Sequence, residues 1–196
     1  MSKRARLFID YETHFDDDYT LKKMPTAQYL RDERFELLGA AMAAPGCIEP
    51  GWYTPGNGLG RALASLPWPN VEIIAHNVTF DAAVLATHAP QFRPAYHTCT
   101  MLRTRYAISQ GLLPADRGTS LAELGNKGNT ADAVAAGGEK LKSYALQDLR
   151  DLMTLYVESE GWQVPRMELD LMDLHARMAC YPVLSLRREL LEEVAA

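Results

Sequence analysis

Two carboxylates, Asp10 and Glu12, stand directly after a short apolar run, Leu7-Phe8-Ile9. An uninterrupted apolar run of this kind is typical of a strand that is covered on both faces. Because side chains alternate along a strand, residues 10 and 12 project to the same side. Two like charges placed there repel each other unless a cation lies between them. The pair predicts a metal site at the end of a buried strand, with a solvated strand end as the simpler alternative.

A second polar pair, Asn77 and Asp81, follows another apolar run at residues 73–75. This run predicts a strand and residues 79–88 predict a helix, so Asp81 falls in the first helical turn. Ligands in open α/β sheets collect outside the carboxyl ends of strands, which is where this junction lies. The structural alternative is that Asp81 interacts favourably with the helix dipole and Asn77 forms a turn.

A third polar set lies on a long predicted helix at residues 141–159. The core-facing stripe of this helix repeats at i, i+4, i+7 and i+11, and it consists of Ala145, Leu149, Leu152 and Tyr156. Tyr144, Asp148 and Asp151 form a neighbouring stripe, with Tyr144 and Asp148 one above the other. The stripe suits either a functional site or a solvated helix edge, and Asp151 competes with Asp148 as its functional acid.

The composition restricts the classes of protein to be considered. The chain has 196 residues, 47% hydrophobic and 23% charged, which fits one soluble globular domain with a sizeable core. No apolar run approaches the roughly 18–20 residues of a membrane span, so no membrane partner is expected. Residues 1–6 lead directly into the first predicted strand, which favours a cytoplasmic location. The net charge of −5 argues against a broad basic surface for nucleic acid.

The cysteines and histidines do not form a clear soft-metal site. Cys47, Cys99 and Cys180 are odd in number and far apart, which fits neither a disulfide framework nor paired zinc knuckles. His97 and Cys99 offer two ligands without a second pair, a pattern more typical of strand packing.

Hydrophobic patterns and turn residues predict the elements that must position the polar groups. The predicted strands cover residues 6–12, 35–43, 47–54, 71–77 and 96–100. The predicted helices cover residues 59–66, 79–88, 101–110, 119–125, 141–159 and 166–180, and residues 126–138 are expected to be mobile. The chain begins with strands, continues with alternating strands and helices, and ends with helices. This order predicts an α/β fold, with a mixed sheet that has helices on both faces.

Taken together, the three polar motifs resemble those of the DEDD 3′–5′ exonucleases of the DnaQ-like, RNase H-like superfamily. The matching segments are Phe8-Ile9-Asp10-Tyr11-Glu12-Thr13, His76-Asn77-Val78-Thr79-Phe80-Asp81 and Tyr144-Ala145-Leu146-Gln147-Asp148. The position of Tyr144 is similar to that in the tyrosine subclass. Residues 111–121 and 169–184 further resemble proofreading domains of phage and bacterial family A DNA polymerases.

This resemblance implies a fold and a domain organisation. The fold would be RNase H-like, with a mixed five-stranded sheet flanked by helices on both faces. A single 3′–5′ exonuclease domain would span residues 1–196. Residues from about 160 to 196 would form a C-terminal helical extension, which in relatives leads to a polymerase domain.

The resemblance also implies an activity. The protein would use two Mg²⁺ or Mn²⁺ ions to hydrolyse the 3′ end of single-stranded DNA to nucleoside 5′-monophosphates. Its role would be proofreading during replication, with a DNA polymerase as a partner, in the cytoplasm of a bacterium or of a phage-infected host cell. The implied metal ligands are Asp10, Glu12, Asp81 and Asp148. Tyr144 would orient the attacking water. The implied contacts to the terminal nucleotide are Thr13, Phe15, Asn77 and Phe80.

Three points stay open at the level of sequence. An RNA or oligoribonucleotide 3′–5′ exonuclease of the same superfamily is an alternative, because readout of the 2′-hydroxyl depends on pocket geometry. A non-catalytic nucleic-acid-binding module of a polymerase complex is a further alternative, disfavoured because all four acids and the tyrosine are present. The segment His14-Phe15-Asp16-Asp17 departs from the family pattern, since Phe15 can stack on a base while the neighbouring acids repel phosphate.

Overall fold

A computed structural model of the protein describes residues 4–44, 47, 49–116 and 130–181. The strands are β1 (Ala5–Thr13), β2 (Leu37–Ala43), β3 (Gly51–Tyr53), β4 (Val71–Ala75) and β5 (Tyr96–Cys99). The helices are α1 (Thr26–Tyr29), α2 (Leu59–Ala64), α3 (Val78–His88), α4 (Thr100–Ser109), α5 (Thr130–Ala136), α6 (Gly138–Glu160) and α7 (Arg166–Cys180). A single 3₁₀ turn at Trp68–Asn70 precedes β4.

The strands form one mixed sheet in the order β3-β2-β1-β4-β5. The pairs β1–β2 and β2–β3 are antiparallel, whereas β1–β4 and β4–β5 are parallel. β1 is therefore central, and its Leu7 and Ile9 are almost completely buried. The prediction of a mixed five-stranded sheet is confirmed.

Helices cover both faces of the sheet, as predicted. On one face, Leu7 and Ile9 share a core with Val84 of α3. On the other face, Ile74 packs against Leu149 of α6. Each fully buried leucine contributes about 1.5–3 kcal/mol, so the apolar stripe of α6 holds this helix firmly on the sheet. The position of every polar residue beside that stripe follows from this packing.

The C-terminal helices differ in what they contact. α6 spans 23 residues and lies on the sheet, while α7, which lies within the predicted extension, packs against α3 and β5. Both helices are amphipathic. Among the helices within the described ranges, none is long and apolar enough to cross a membrane.

Predicted and observed elements differ in the connecting segments. α1 begins directly after Pro25, in a stretch for which the sequence predicted neither a strand nor a helix. Of the described residues in the strand predicted over residues 47–54, Gly51–Tyr53 form β3. α5 occupies part of the segment expected to be mobile, because its alanine-rich run favours a helix. The helix predicted at residues 119–125 lies outside the described residues.

Candidate metal centre

The C-terminal part of β1 extends past the end of β4, which opens the sheet at this point. β4 pairs with β1 as far as Phe8, whereas β2 stays paired with β1 through Thr13. Asp10 and Glu12 lie on the same face as Phe8 because side chains alternate along the strand. Phe8 packs edge-on against Tyr156 of α6, with ring centroids 5.3 Å apart. Both acids therefore face α6.

The neighbouring strand β2 presents small residues beside the two acids. Ala41 lies opposite Asp10, and Gly39 lies opposite Glu12. A Cβ atom at Gly39 would collide with the indole ring of Trp52, which lies against this glycine. The indole therefore lies where a side chain of residue 39 would stand, beside the position of Glu12 in the sheet.

Asp148 completes an acidic group with Asp10 and Glu12. Within the described parts of the chain, these three residues offer carboxylate oxygens that all lie within 4.8 Å of one another. Glu12 and Asp148 are buried, with exposed fractions of 7% and 4%, and Asp10 is partly exposed. Asp148 is brought here by α6, whose adjacent residue Leu149 is packed into the core.

The three carboxylates fit a hard divalent cation. Mg²⁺ and Ca²⁺ take oxygen ligands at about 2.0–2.6 Å, so ligands around one ion lie up to about 5 Å apart. The spread of the oxygens of Asp10, Glu12 and Asp148 falls within that limit. Carboxylates favour Mg²⁺, Mn²⁺ and Ca²⁺ over soft metals.

Asp81 lies beside this acidic group. It stands in the first turn of α3, and its Oδ1 accepts a hydrogen bond of 3.0 Å from the N–H of Tyr11, the residue between Asp10 and Glu12. Burial raises the pKa of Asp81 to about 7, although the N–H groups of Tyr11 and of Asp81 itself lower it. The predicted position outside the carboxyl end of β4 is thus observed, and its role as a metal ligand stays a prediction.

Tyr144 lies one helical turn before Asp148 on α6. The Tyr144 hydroxyl shares a hydrogen bond of 2.5 Å with Oγ1 of Thr130, which joins α5 to α6. Asp151 accepts a hydrogen bond of 2.9 Å from the Gln147 amide, and among the described acids it is not a member of the group formed with Asp10 and Glu12. The packing of α6 therefore favours Asp148 over Asp151 as the functional acid.

The four residues predicted to contact the terminal nucleotide have different environments. Thr13 is buried, and its Oγ1 lies 2.7 Å from the hydroxyl of Tyr29. Phe80 is partly buried and also contacts Tyr29, with ring centroids 6.1 Å apart. Asn77 is exposed directly before α3, and Phe15 is partly exposed after β1. Contact of these four residues with substrate stays a prediction.

The acids after Phe15 are engaged in local contacts. Asp16 accepts hydrogen bonds of 2.7 Å from the N–H groups of Asp18 and Tyr19, which lower the pKa of Asp16. Asp18 forms an ion pair of 2.9 Å with Lys23. These contacts shape the loop, and they leave Asp16 ionised.

His97 has a structural partner far along the chain. It is fully buried, and its Nδ1 lies 2.8 Å from Oδ1 of Asp173 on α7. Arg177 donates a hydrogen bond of 2.7 Å to the other oxygen of Asp173. The interpretation of residues 97–99 as strand packing agrees with this arrangement.

Tyr29 is the residue near the acids that sequence reasoning missed. It lies at the end of α1 and is 2% exposed, and its hydroxyl contacts the residues that follow Glu12. The available signal was the presence of two tyrosines, Tyr19 and Tyr29, within a stretch otherwise rich in charged and polar residues.

Comparison with known proteins bears on the fold. No protein-family model matches the chain, and no curated protein matches its sequence. A solved structure of RNase D from Escherichia coli, described as an exoribonuclease involved in structured RNA processing, is similar with a TM-score of 0.52 and 16% identity. The similarity covers 91% of this chain and 46% of RNase D, so the chain spans less than half the length of that protein. The mixed five-stranded sheet with helices on both faces is therefore an RNase H-like fold.

Proposed function

We propose that this protein is a metal-dependent 3′–5′ exonuclease that hydrolyses single-stranded DNA to nucleoside 5′-monophosphates and serves proofreading. The observation that carries the proposal is the group formed by Asp10, Glu12 and Asp148, whose carboxylate oxygens lie within 4.8 Å of one another. This group lies at the open end of the central strand of an RNase H-like sheet. The similarity to RNase D, itself an exoribonuclease, supports the exonuclease class.

The acids have distinct roles in this proposal. Asp10, Glu12 and Asp148 hold one Mg²⁺ or Mn²⁺ ion, and Asp81 supports a second ion on the side of Asp10. Bound divalent cations supply an activated water and neutralise the charge that develops on the leaving oxygen. The burial of Glu12 and Asp148 strengthens their attraction for a cation, because Coulomb interactions are larger away from bulk water.

Tyr144 orients the attacking water through its hydroxyl. The ordinary pKa of a tyrosine is near 10, so orientation suits it better than removal of a proton at neutral pH. Its contact with Thr130 restricts the rotation of the ring on α6. In this proposal the terminal nucleotide is contacted by Thr13, Phe15, Asn77 and Phe80. The aromatic side chains of Phe15 and Phe80 are suited to stacking on a base.

The nature of the nucleic acid divides the proposal into two candidates. DNA is favoured by the resemblance of residues 111–121 and 169–184 to polymerase proofreading domains, in which case a DNA polymerase is the expected partner. RNA is favoured by the similarity to RNase D, which acts on RNA. A non-catalytic binding module is the weakest candidate, because such modules gain nothing from retaining closely placed buried acids, which are costly to ionise.

A single degradation assay tests these candidates. Single-stranded DNA and RNA of the same sequence, labelled at the 5′ or the 3′ end, are incubated with Mg²⁺, Mn²⁺ or EDTA. Stepwise shortening of 5′-labelled DNA, with early release of the 3′ label and no reaction in EDTA, is expected. Preferential shortening of RNA would show that RNA, rather than DNA, is the substrate. The absence of metal-dependent shortening of either nucleic acid would contradict the proposal. Asp148→Asn is the control for contaminating nucleases.

A further inference from the structure

β1 departs from regular pairing at Glu12. Glu12 is paired with Gly39 of β2, whereas the next residue, Thr13, is paired with Leu37, so one residue of β2 is skipped. Such irregularities change the direction of nearby side chains and occur preferentially beside active sites. The extra residue lies in β2, so Glu12 stands at the end of the regularly paired part of β1, where contacts of the next residues help to set the direction of its carboxylate.

The hydroxyl of Tyr29 holds that part of the chain through two hydrogen bonds. It lies 2.7 Å from Oγ1 of Thr13 and 2.5 Å from the carbonyl oxygen of His14. A carbonyl oxygen only accepts, so the single proton of Tyr29 is donated to His14, and Thr13 must donate to Tyr29. Burial raises the pKa of Tyr29, which keeps this proton in place. The two bonds add to the hydrogen bond of 2.9 Å that the N–H of His14 donates to the carbonyl of Glu36, and together they hold two consecutive residues directly after Glu12.

The side chain of Tyr29 is itself held in place by aromatic packing and a hydrogen bond. Its ring stacks on Tyr19 with centroids 4.3 Å apart and planes inclined by 5°. The hydroxyl of Tyr19 donates a hydrogen bond of 2.7 Å to the carbonyl of Tyr29, and Phe35 meets the Tyr29 ring edge-on at 6.0 Å. Both tyrosines are at most 2% exposed. The position of the Tyr29 hydroxyl is thus set by packing, independently of the strand that it holds.

We propose that Tyr29 is a positioning residue for the metal centre, because its hydroxyl sets the direction in which Glu12 presents its carboxylate. The inference rests on the proposed function, in which Glu12 is a metal ligand. Groups that orient metal ligands through hydrogen bonds typically change metal affinity by about 10–100-fold when they are removed. Tyr29 contacts the backbone and side chain beyond the ligand, so we expect an effect near the lower end of that range.

The matched pair Tyr29→Phe and Tyr19→Phe tests this role. Each variant removes one buried hydroxyl from the same stacked pair, and of the two only Tyr29→Phe removes hydrogen bonds to the residues after Glu12. Mn²⁺ binding is measured by calorimetry without nucleic acid. Tyr29→Phe is expected to weaken binding about tenfold, whereas Tyr19→Phe stays within about twofold of wild type. In degradation assays, Tyr29→Phe should raise the half-saturating Mn²⁺ concentration by a similar factor and retain most of kcat at saturating metal.

The outcomes separate the inference from the proposed function. Unchanged Mn²⁺ affinity in Tyr29→Phe, or equal weakening in Tyr19→Phe, overturns the positioning role while the exonuclease proposal stands. A wild-type protein that binds no Mn²⁺, or an unchanged affinity in Glu12→Gln, overturns both. If Tyr29→Phe does not fold, Thr13→Val removes one of the two bonds and is expected to weaken Mn²⁺ binding about threefold, with unchanged affinity counting against the inference.

Discussion

Two regions of the molecule join a strand to a helix through carboxylates that are wholly or partly buried, and the partners of these carboxylates differ. Between β1 and α6, Asp10, Glu12 and Asp148 bring their oxygens within 4.8 Å of one another. Between β5 and α7, Asp173 receives hydrogen bonds from the N–H of His97 and from Arg177, at 2.8 and 2.7 Å. In the second region, the carboxylate thus pairs with a backbone N–H group and a guanidinium group.

The pKa values of two buried aspartates show the same difference. Burial raises the pKa of Asp81, beside the acidic group, to about 7. Burial acts in the same direction on Asp173, but hydrogen bonds from His97 and Arg177 outweigh it and lower its pKa below the ordinary value. Asp173 has a positively charged partner in Arg177, which helps to keep its carboxylate ionised, whereas the donors to Asp81 are neutral backbone N–H groups, which do not outweigh burial.

The largest effect is expected from the acidic group. Asp10→Asn and Asp148→Asn should each reduce 3′–5′ hydrolysis by about 10³-fold or more, which corresponds to about 4 kcal/mol of transition-state stabilisation. Loss of a like charge should leave the free energy of unfolding unchanged or raise it slightly. Single-turnover degradation and urea unfolding measure the two quantities. Near-normal hydrolysis by both variants would show that these acids have no catalytic role.

Substitution of Asp173, at the contact between β5 and α7, should affect stability rather than hydrolysis. Asp173→Asn is expected to lower the free energy of unfolding by about 2 kcal/mol, because it removes the charged acceptor of the hydrogen bonds from buried His97 and half-exposed Arg177. Hydrolysis below the unfolding transition should stay within about twofold of wild type. Asp170→Asn, which removes an exposed partner of Arg166 on the same helix, is the control and should cost less than about 1 kcal/mol.

The cost of Asp173→Asn should also depend on pH. Because the folded pKa of Asp173 is lowered, its stabilisation is fully present above the unfolded value and is lost as the pH falls through the folded value. Urea unfolding of wild type and Asp173→Asn should therefore converge in acid and diverge towards neutral pH. A difference that stays constant with pH would mean that packing, rather than charge, explains the effect.

Metal should distinguish the two regions directly. At about 100 times its dissociation constant, Mn²⁺ should raise the free energy of unfolding of wild type by about 2.7 kcal/mol. Asp173→Asn should keep this increment, whereas Asp148→Asn should lose most of it. Thermal unfolding with Mn²⁺ and with EDTA provides the measurement, and an equal increment in all three proteins would place the bound ion elsewhere.

The smallest effect is expected at Asp151. This residue lies on α6 close to Asp148, and it accepts a hydrogen bond from exposed Gln147. Asp151→Asn should change hydrolysis by less than about twofold and stability by less than about 0.5 kcal/mol. An inactive Asp151→Asn together with an active Asp148→Asn would reverse the assignment of the last acid.

The predictable part of the fold is the part with strong periodicity. The apolar stripe of α6 and the apolar run of β1 led to elements close to those observed, because burial of these residues decides the conformation. α1 and α5 were missed, since short helices with weak patterns depend on contacts supplied by the rest of the chain. The pairing of His97 with Asp173 was equally inaccessible, because nothing local links the two residues.

The sequence by itself determined relations within single elements. The spacing of Asp10 and Glu12 puts them on one face of a strand, and the spacing of Tyr144 and Asp148 puts them on one face of a helix, because backbone geometry sets these periods. The tertiary structure decided which faces meet. It brought Asp148 to Asp10 and Glu12, and it placed the hydroxyl of Tyr29 against the two residues that follow Glu12. Such meetings depend on how strands and helices pack, and packing is a property of the whole chain.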